Sequence, residues 1–195
     1  MSCLATVANR NAAETCGVDL TKQITWDSML EDGKKLHAEN PDYYYLNTDT
    51  KILCEYVLRP YLRQMTGESF IIDSEKKMSF TREQLVEVLT YIKDCYDGGV
   101  FEPAEDSATF KGQIHTNPKW MDGKFVFAYG PSSSINLLMD AVPEAECTVV
   151  QMPMAEDRVN DGFFADTPQY MTVNKNSEHV EEAVDFLNYF YNNAE

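Results

Sequence analysis

The chain has 195 residues, 32 of them acidic and 16 basic, for a formal charge of −16. That balance excludes a polyphosphate partner, which needs Lys and Arg to displace its counterions, and disfavours an anionic membrane surface. A chain of this length and apolar content buries enough surface to fold without a metal or disulfide staple.

The five cysteines, Cys3, Cys16, Cys54, Cys95 and Cys147, are odd in number and widely spaced. No C-x-x-C occurs, so zinc-ribbon and thioredoxin-like chemistry lack their signature. Cys54 and Cys95 fall inside apolar helical patterns and read as small core residues. No run reaches 18 uncharged apolar residues, and Met1 to Asn11 lacks the charged and apolar regions of an intact signal peptide.

The first element signal is Thr25-Trp26-Asp27-Ser28, with Thr25 able to cap a helix and Asp27 suited to its positive end. Trp26, Met29, Leu30 and Leu36 share one face, and Asn40-Pro41 ends the helix. Asp42 to Leu46 reads as a short strand. Asp49 to Gln64 has helical spacing, with Pro60 expected to kink or restart it. Ser69 to Asp73 reads as a strand.

Thr81-x-x-Gln84 is a capping box opening a helix to Tyr96, with Leu85, Val88, Leu89 and Ile92 as its buried stripe and Gly98-Gly99 as its stop. Pro118 to Asp122 is a helical turn. Lys124 to Tyr129 is a strong strand that Gly130-Pro131 breaks. Ser132 to Val142 is helical, Cys147 to Met152 a strand, Asp157 to Gly162 a polar loop and Tyr170 to Asn174 a strand. Ser177 caps the last helix, whose apolar side is Val180, Ala183, Val184, Leu187, Phe190 and Tyr191. Strands and helices alternate, which implies an α/β layer fold. Residues 1–123 read as mostly helical and residues 124–195 as a cleaner alternation, with a lobe boundary near Gly123.

Catalytic signatures are scarce. His37, His115 and His179 are isolated, and no H-E-x-x-H, G-x-S-x-G, G-x-G-x-x-G or P-loop pattern occurs. Asp49 with Glu55, and Asp157 with Asp161, are the acidic pairs a glycosidase reading would use; among 32 acids, chance pairs are expected. The Asp157 to Gly162 run lacks the closing acid of a calcium loop. No catalytic residue, metal ligand or cofactor is assigned. What stands out is aromatic residues beside turns: Trp26, Tyr43 to Tyr45, Trp120, Tyr129, Phe163, Phe164 and Tyr170. Aromatic faces with nearby polar groups suit sugars, although each is equally readable as core.

Three blocks carry a resemblance. Cys16-Gly17-Val18-Asp19-Leu20 leads into Ile24-Thr25-Trp26-Asp27-Ser28-Met29-Leu30. The second block is Trp120-Met121-Asp122-Gly123-Lys124-Phe125-Val126-Phe127-Ala128-Tyr129-Gly130. The third is Thr172-Val173-Asn174-Lys175-Asn176-Ser177 with Glu182-Ala183-Val184-Asp185-Phe186-Leu187. Their order and spacing are similar to those of the extracellular solute-binding proteins of ABC transporters, family 1, the carbohydrate-binding, maltose-binding-protein-like branch. Val126 and Phe127 depart from its usual small residue and Met, and Cys16 from its usual Ala.

The resemblance implies a type II periplasmic-binding-protein-like α/β fold, present as a partial two-lobe architecture because such proteins are nearly twice as long. It implies binding of a sugar or oligosaccharide without catalysis. It further implies delivery to ABC-transporter membrane subunits from an extracellular or periplasmic location, tethered as a lipoprotein in the full-length form. It assigns residues 1–123 mainly to the C-terminal lobe and 124–195 to a returning N-terminal-lobe segment. Hinge crossings fall at Gly123 to Tyr129 and between Thr148 and Asp161. The ligand-contact candidates are Tyr45, Asn47, Thr48, Trp120, Tyr129, Ser132, Ser133, Phe164, Asp166 and Gln169. A truncated chain is also expected to expose apolar surface and to self-associate. A non-catalytic interaction module, and an acidic glycoside-active enzyme, are the alternatives.

Overall fold

The computed structural model describes residues 2–163, 165–166 and 171–193. Its first element is one that the sequence pattern did not announce. Ser2–Asn9 is a strand, β1, with Thr6, Val7 and Ala8 buried. The Asn9 side chain then accepts the Ala12 N–H at 3.0 Å and caps α1, Arg10–Thr15.

Helix α2, Trp26–Glu39, starts as expected, with a reciprocal Thr25/Ser28 capping box that satisfies two orphan amides. Trp26, Met29 and Leu36 are buried. Gly33 permits this helix to dock: a Cβ there would stand 2.7 Å from Val100 Cγ1. β2 follows at Tyr44–Asn47.

The stretch from Thr50 to Thr66 is helical throughout but changes pitch. α3 (Thr50–Ile52) passes into a π-helical turn, Leu53–Leu58, and then into α4 (Arg59–Thr66). Pro60 supplies the cause. It has no N–H to donate backwards, and its ring crowds the carbonyl four residues earlier. Widening the preceding turn relieves both, as π-bulges do. The changed pitch places Cys54 at the surface and not in the core.

A hairpin, β3 (Ile71–Ile72) and β4 (Lys77–Met78), leads to α5, Arg82–Asp97, opened by the Thr81/Gln84 box. Its buried residues are Val88, Tyr91 and Cys95, whereas Leu89 is 48% exposed. The face is rotated from the expected stripe because Tyr91 is anchored. Its hydroxyl donates to the Trp26 carbonyl at 2.8 Å, and its ring meets Trp26 and Tyr61 edge-on.

After α6 (Ala104–Ser107) and two short 3₁₀ turns, Asn117 caps α7, Pro118–Met121. β5 spans Phe125–Pro131, so Gly130-Pro131 ends the strand from within and does not precede its end. A 3₁₀ turn, Ser132–Ser134, leads into α8, Ile135–Asp140, and β6 is Cys147–Val150.

Four strands of the main sheet run in the order β2-β5-β1-β6. β1 is antiparallel to β5 and to β6, and β2 is parallel to β5. Every residue of β5 from Phe125 to Gly130 is buried. β5 therefore belongs to the same sheet as residues 2–9 and 44–47, and Gly123 does not separate two bodies. The division into compact units falls between Ala165 and Asp166. Neither expected hinge is free: Gly123 to Tyr129 enters a fully buried strand, and residues 153–162 are bonded to α2 and α4.

In the smaller unit, Met171–Asn174 is irregular, not a strand. α9 is Val180–Asn192 and begins three residues after Ser177, whose hydroxyl accepts the His179 N–H. Val184, Phe186, Tyr189, Phe190 and Tyr191 of α9 are exposed.

The cysteines give a direct check on this packing. Burial pushes the Cys95 thiol up to about 12, and thiolate is the reactive form. A maleimide at neutral pH should therefore label Cys3 and Cys54 first, Cys16 and Cys147 more slowly, and Cys95 only on unfolding. Peptide mass mapping against labelling time reads the order.

Candidate functional site

Because β2 and β5 are parallel, their carboxyl ends emerge on one edge of the sheet, and antiparallel β1 brings its amino end to the same edge. Each parallel strand there gives way to a helix. β2 runs through Thr48-Asp49 into α3, and β5 runs through Ser132–Ser134 into α8. The Cys3 N–H donates to Ser132 Oγ at 3.1 Å, tying the two strands at the rim. In open α/β sheets, ligands bind just outside the carboxyl ends of the strands, so this rim is the candidate site.

Its floor is held by buried polar side chains. Asp49 accepts the Ile52 N–H at 2.8 Å and also the Gly112 N–H, which caps α3 and pins the loop before Ile114. Asn47 donates from Nδ2 to the Ile114 carbonyl at 2.8 Å, while its Oδ1 is buried without a partner. The Thr48 hydroxyl bonds the Asp49 carbonyl at 3.3 Å. Asn47 and Thr48, both fully buried, shape the rim and present no free face.

Three of the four aromatic candidates, Trp120, Tyr45 and Tyr129, are core. Trp120 is 0% exposed and donates its indole N–H to the Leu138 carbonyl at 3.0 Å, fixing α8. Tyr45 packs against Phe127, and Tyr129 lies by Tyr56 with its hydroxyl 3.8 Å from Met29 Sδ. In this geometry their rings support the rim from below. Ser132 is half-buried and Ser133 exposed at the rim itself. Phe164, Gln169 and the Asp166 side chain lie outside the described residues. Thr50 and Lys51, directly after the pinned Asp49 and not among the candidates, are exposed at the start of α3.

The acidic pairs do not form a catalytic couple. Asp49 is spent on capping, and Asp161 pairs with Arg158 at 3.1 Å. Among the described residues no His, Cys, Asp and Glu group could hold a metal ion, and no helix is long and apolar enough to cross a membrane.

The description of bacterial extracellular solute-binding proteins matches residues 7–195. The chain belongs to that family. No curated protein matches it significantly by sequence. Among solved structures it is similar to a periplasmic oligogalacturonide-binding protein from Yersinia enterocolitica in complex with saturated digalacturonic acid. That match has 24% identity and a TM-score of 0.79, covering 98% of this chain and 48% of the other. It is also similar to an ABC substrate-binding protein from Listeria monocytogenes in complex with cycloalternan, with 18% identity, TM-score 0.69, and 98% and 46% coverage. A de novo designed cysteine esterase shares the fold, with 23% identity, TM-score 0.76, and 97% and 46% coverage. The α/β fold is thus that of periplasmic solute-binding proteins, and this chain spans about half the length of the structures it matches.

Burial raises the pKa of Tyr45, Tyr91 and Tyr129, and takes that of Tyr61 to about 12. In the unfolded chain these groups ionise near about 10. The folded state holds the proton more tightly, so their contribution is complete below about 10 and is lost as pH rises beyond it. Alkaline titration should therefore show tyrosinate absorbance from the buried rings appearing together with loss of circular dichroism. Ionisation of all eleven tyrosines before any unfolding would contradict this packing.

Proposed function

We propose that this chain supplies one lobe, residues 2–165, and the opening segment of the second lobe of a receptor that binds an oligosaccharide and passes it to the membrane subunits of an ABC transporter. The observation that carries the reading is the family match over residues 7–195. The saccharide class is supported by two neighbours of the same fold whose structures hold digalacturonic acid and cycloalternan. The lobe assignment follows the unit boundary at Ala165 and replaces a boundary at Gly123.

The rim fits this use. Hydroxyls of Thr50, Ser132 and Ser133 and the Lys51 ammonium stand at the surface over a floor in which Asp49 and the Asn47 amide N–H are committed and Asn47 Oδ1 is not. The hydroxyls can donate to or accept from sugar hydroxyls, and the ammonium can donate to them. Nothing in the arrangement pairs a base with a nucleophile, and the proposed activity is binding without turnover. Secretion to the cell exterior or periplasm, with a lipid tether on the full-length protein, belongs to the same proposal.

A panel of neutral and uronic oligosaccharides in a thermal-shift assay tests it. A saccharide that binds the folded state raises stability by roughly 2.7 kcal/mol at a hundredfold excess over Kd, with no product formed on chromatography. Ser133→Trp should cut that affinity at least tenfold while leaving the unliganded melting temperature unchanged. A shift with amino acids or peptides only would overturn the saccharide class, and product formation would overturn the non-catalytic reading.

A further inference from the structure

Residues 151–163 contain no regular element, yet Met152, Met154, Ala155 and Gly162 are buried. A segment without its own ladder needs outside partners for its backbone groups. One side chain supplies three of them. Gln64, on α4 and 0% exposed, accepts the Trp26 indole N–H at 2.7 Å and the Ala155 N–H at 2.8 Å through Oε1. Its Nε2 donates to the carbonyls of Pro153 at 2.9 Å and Asp161 at 3.3 Å. A primary amide has two donors and two acceptor positions, and all four are used. The Gln64 backbone carbonyl adds a fifth bond, from the Val159 N–H at 2.8 Å.

The surroundings are built for the same purpose. Met154 pairs with Thr25 as a parallel bridge, donating to the Ile24 carbonyl at 3.0 Å. Asn160 Nδ2 donates to the Gly67 carbonyl at 2.9 Å. Gly162 has φ +71°, and a Cβ there would stand 2.7 Å from the Pro60 carbonyl and 2.8 Å from Gln64 Cγ. Only glycine lets the chain reach Gln64 at that point.

We propose that Gln64 is a positioning residue, a latch that makes residues 153–162 part of the rigid body of the larger unit. Residues 153–162 then move with the larger unit, and that part of the hinge expected between Thr148 and Asp161 does not flex on its own. The latch requires no solute and goes beyond the transport reading.

Hydrogen exchange by mass spectrometry on the full chain tests it. Gln64→Met keeps the side-chain length and removes all four side-chain bonds. Gln64→Glu keeps the two acceptor bonds and loses the two donor bonds. The expected result is exchange at least tenfold faster over 153–162 in Gln64→Met, a smaller acceleration in Gln64→Glu, and unchanged protection of β1 and β5 in both. Three results would overturn the proposal. They are fast exchange of 153–162 already in the unaltered chain, no change in either variant, or loss of β5 protection in both. The last would make Gln64 a support of the whole fold and not of one segment. Should Gln64→Met fail to fold, the Gln64→Glu comparison alone decides, by the same local-against-global contrast. Saccharide binding is no part of the readout, so this proposal and the functional one fail separately.

Discussion

Burial of β5 on both faces is the constraint from which the rest follows. Six consecutive buried residues, Phe125 to Gly130, must have strands on both sides and side chains above and below. β1 and β2 supply the first, and Tyr45, Leu138 and the α2 face that includes Met29 supply much of the second. A strand so enclosed can vary only at its ends. The rim with the serine turn is one of those ends.

The same enclosure makes buried polar groups costly unless each is paired, at roughly 1–3 kcal/mol for a group left unsatisfied. The fold answers with committed partners. Glu102, 1% exposed, receives Lys119 Nζ at 2.5 Å and Asn117 Nδ2 at 2.7 Å, and that knot anchors the α7 turn immediately before β5. Asp49 serves one rim loop, and Gln64 serves the chain leaving the unit. Among the described residues only Asn47 Oδ1 and Arg63 Nε are buried side-chain atoms without a partner. Polar placement, as much as apolar packing, decides which segments of this chain move together.

Much of this was legible in the sequence where the signal is local. Thr25, Thr81 and Asn40-Pro41 mark helix ends because capping and proline sterics act within a few residues. The apolar run of β5 was equally plain. What stayed hidden depends on contacts distant in the chain. β1 is built from small residues and has no alternation to advertise it, and its pairing partners lie more than a hundred residues away. The α5 face turned because Tyr91 found Trp26. Tyr45, Trp120 and Tyr129 looked like sugar platforms because aromatic residues near turns serve core and cleft alike, and only burial separates the two. Ser132 and Ser133, named from the sequence, lie at the rim, and so do the exposed Thr50 and Lys51, which were not named because nothing in composition shows that Asp49 is consumed by capping.

The family is established by the match across nearly the whole chain, and the proposal adds a place for the solute: the edge where β2 and β5 end. An amide NMR titration of the chain with the saccharide that gives the largest thermal shift tests that placement most directly. The account predicts shift changes concentrated at Asn47 to Lys51 and Gly130 to Ser134. Changes gathered instead around Asn9, Thr15 and Gly123, at the opposite edge of the same sheet, would contradict it.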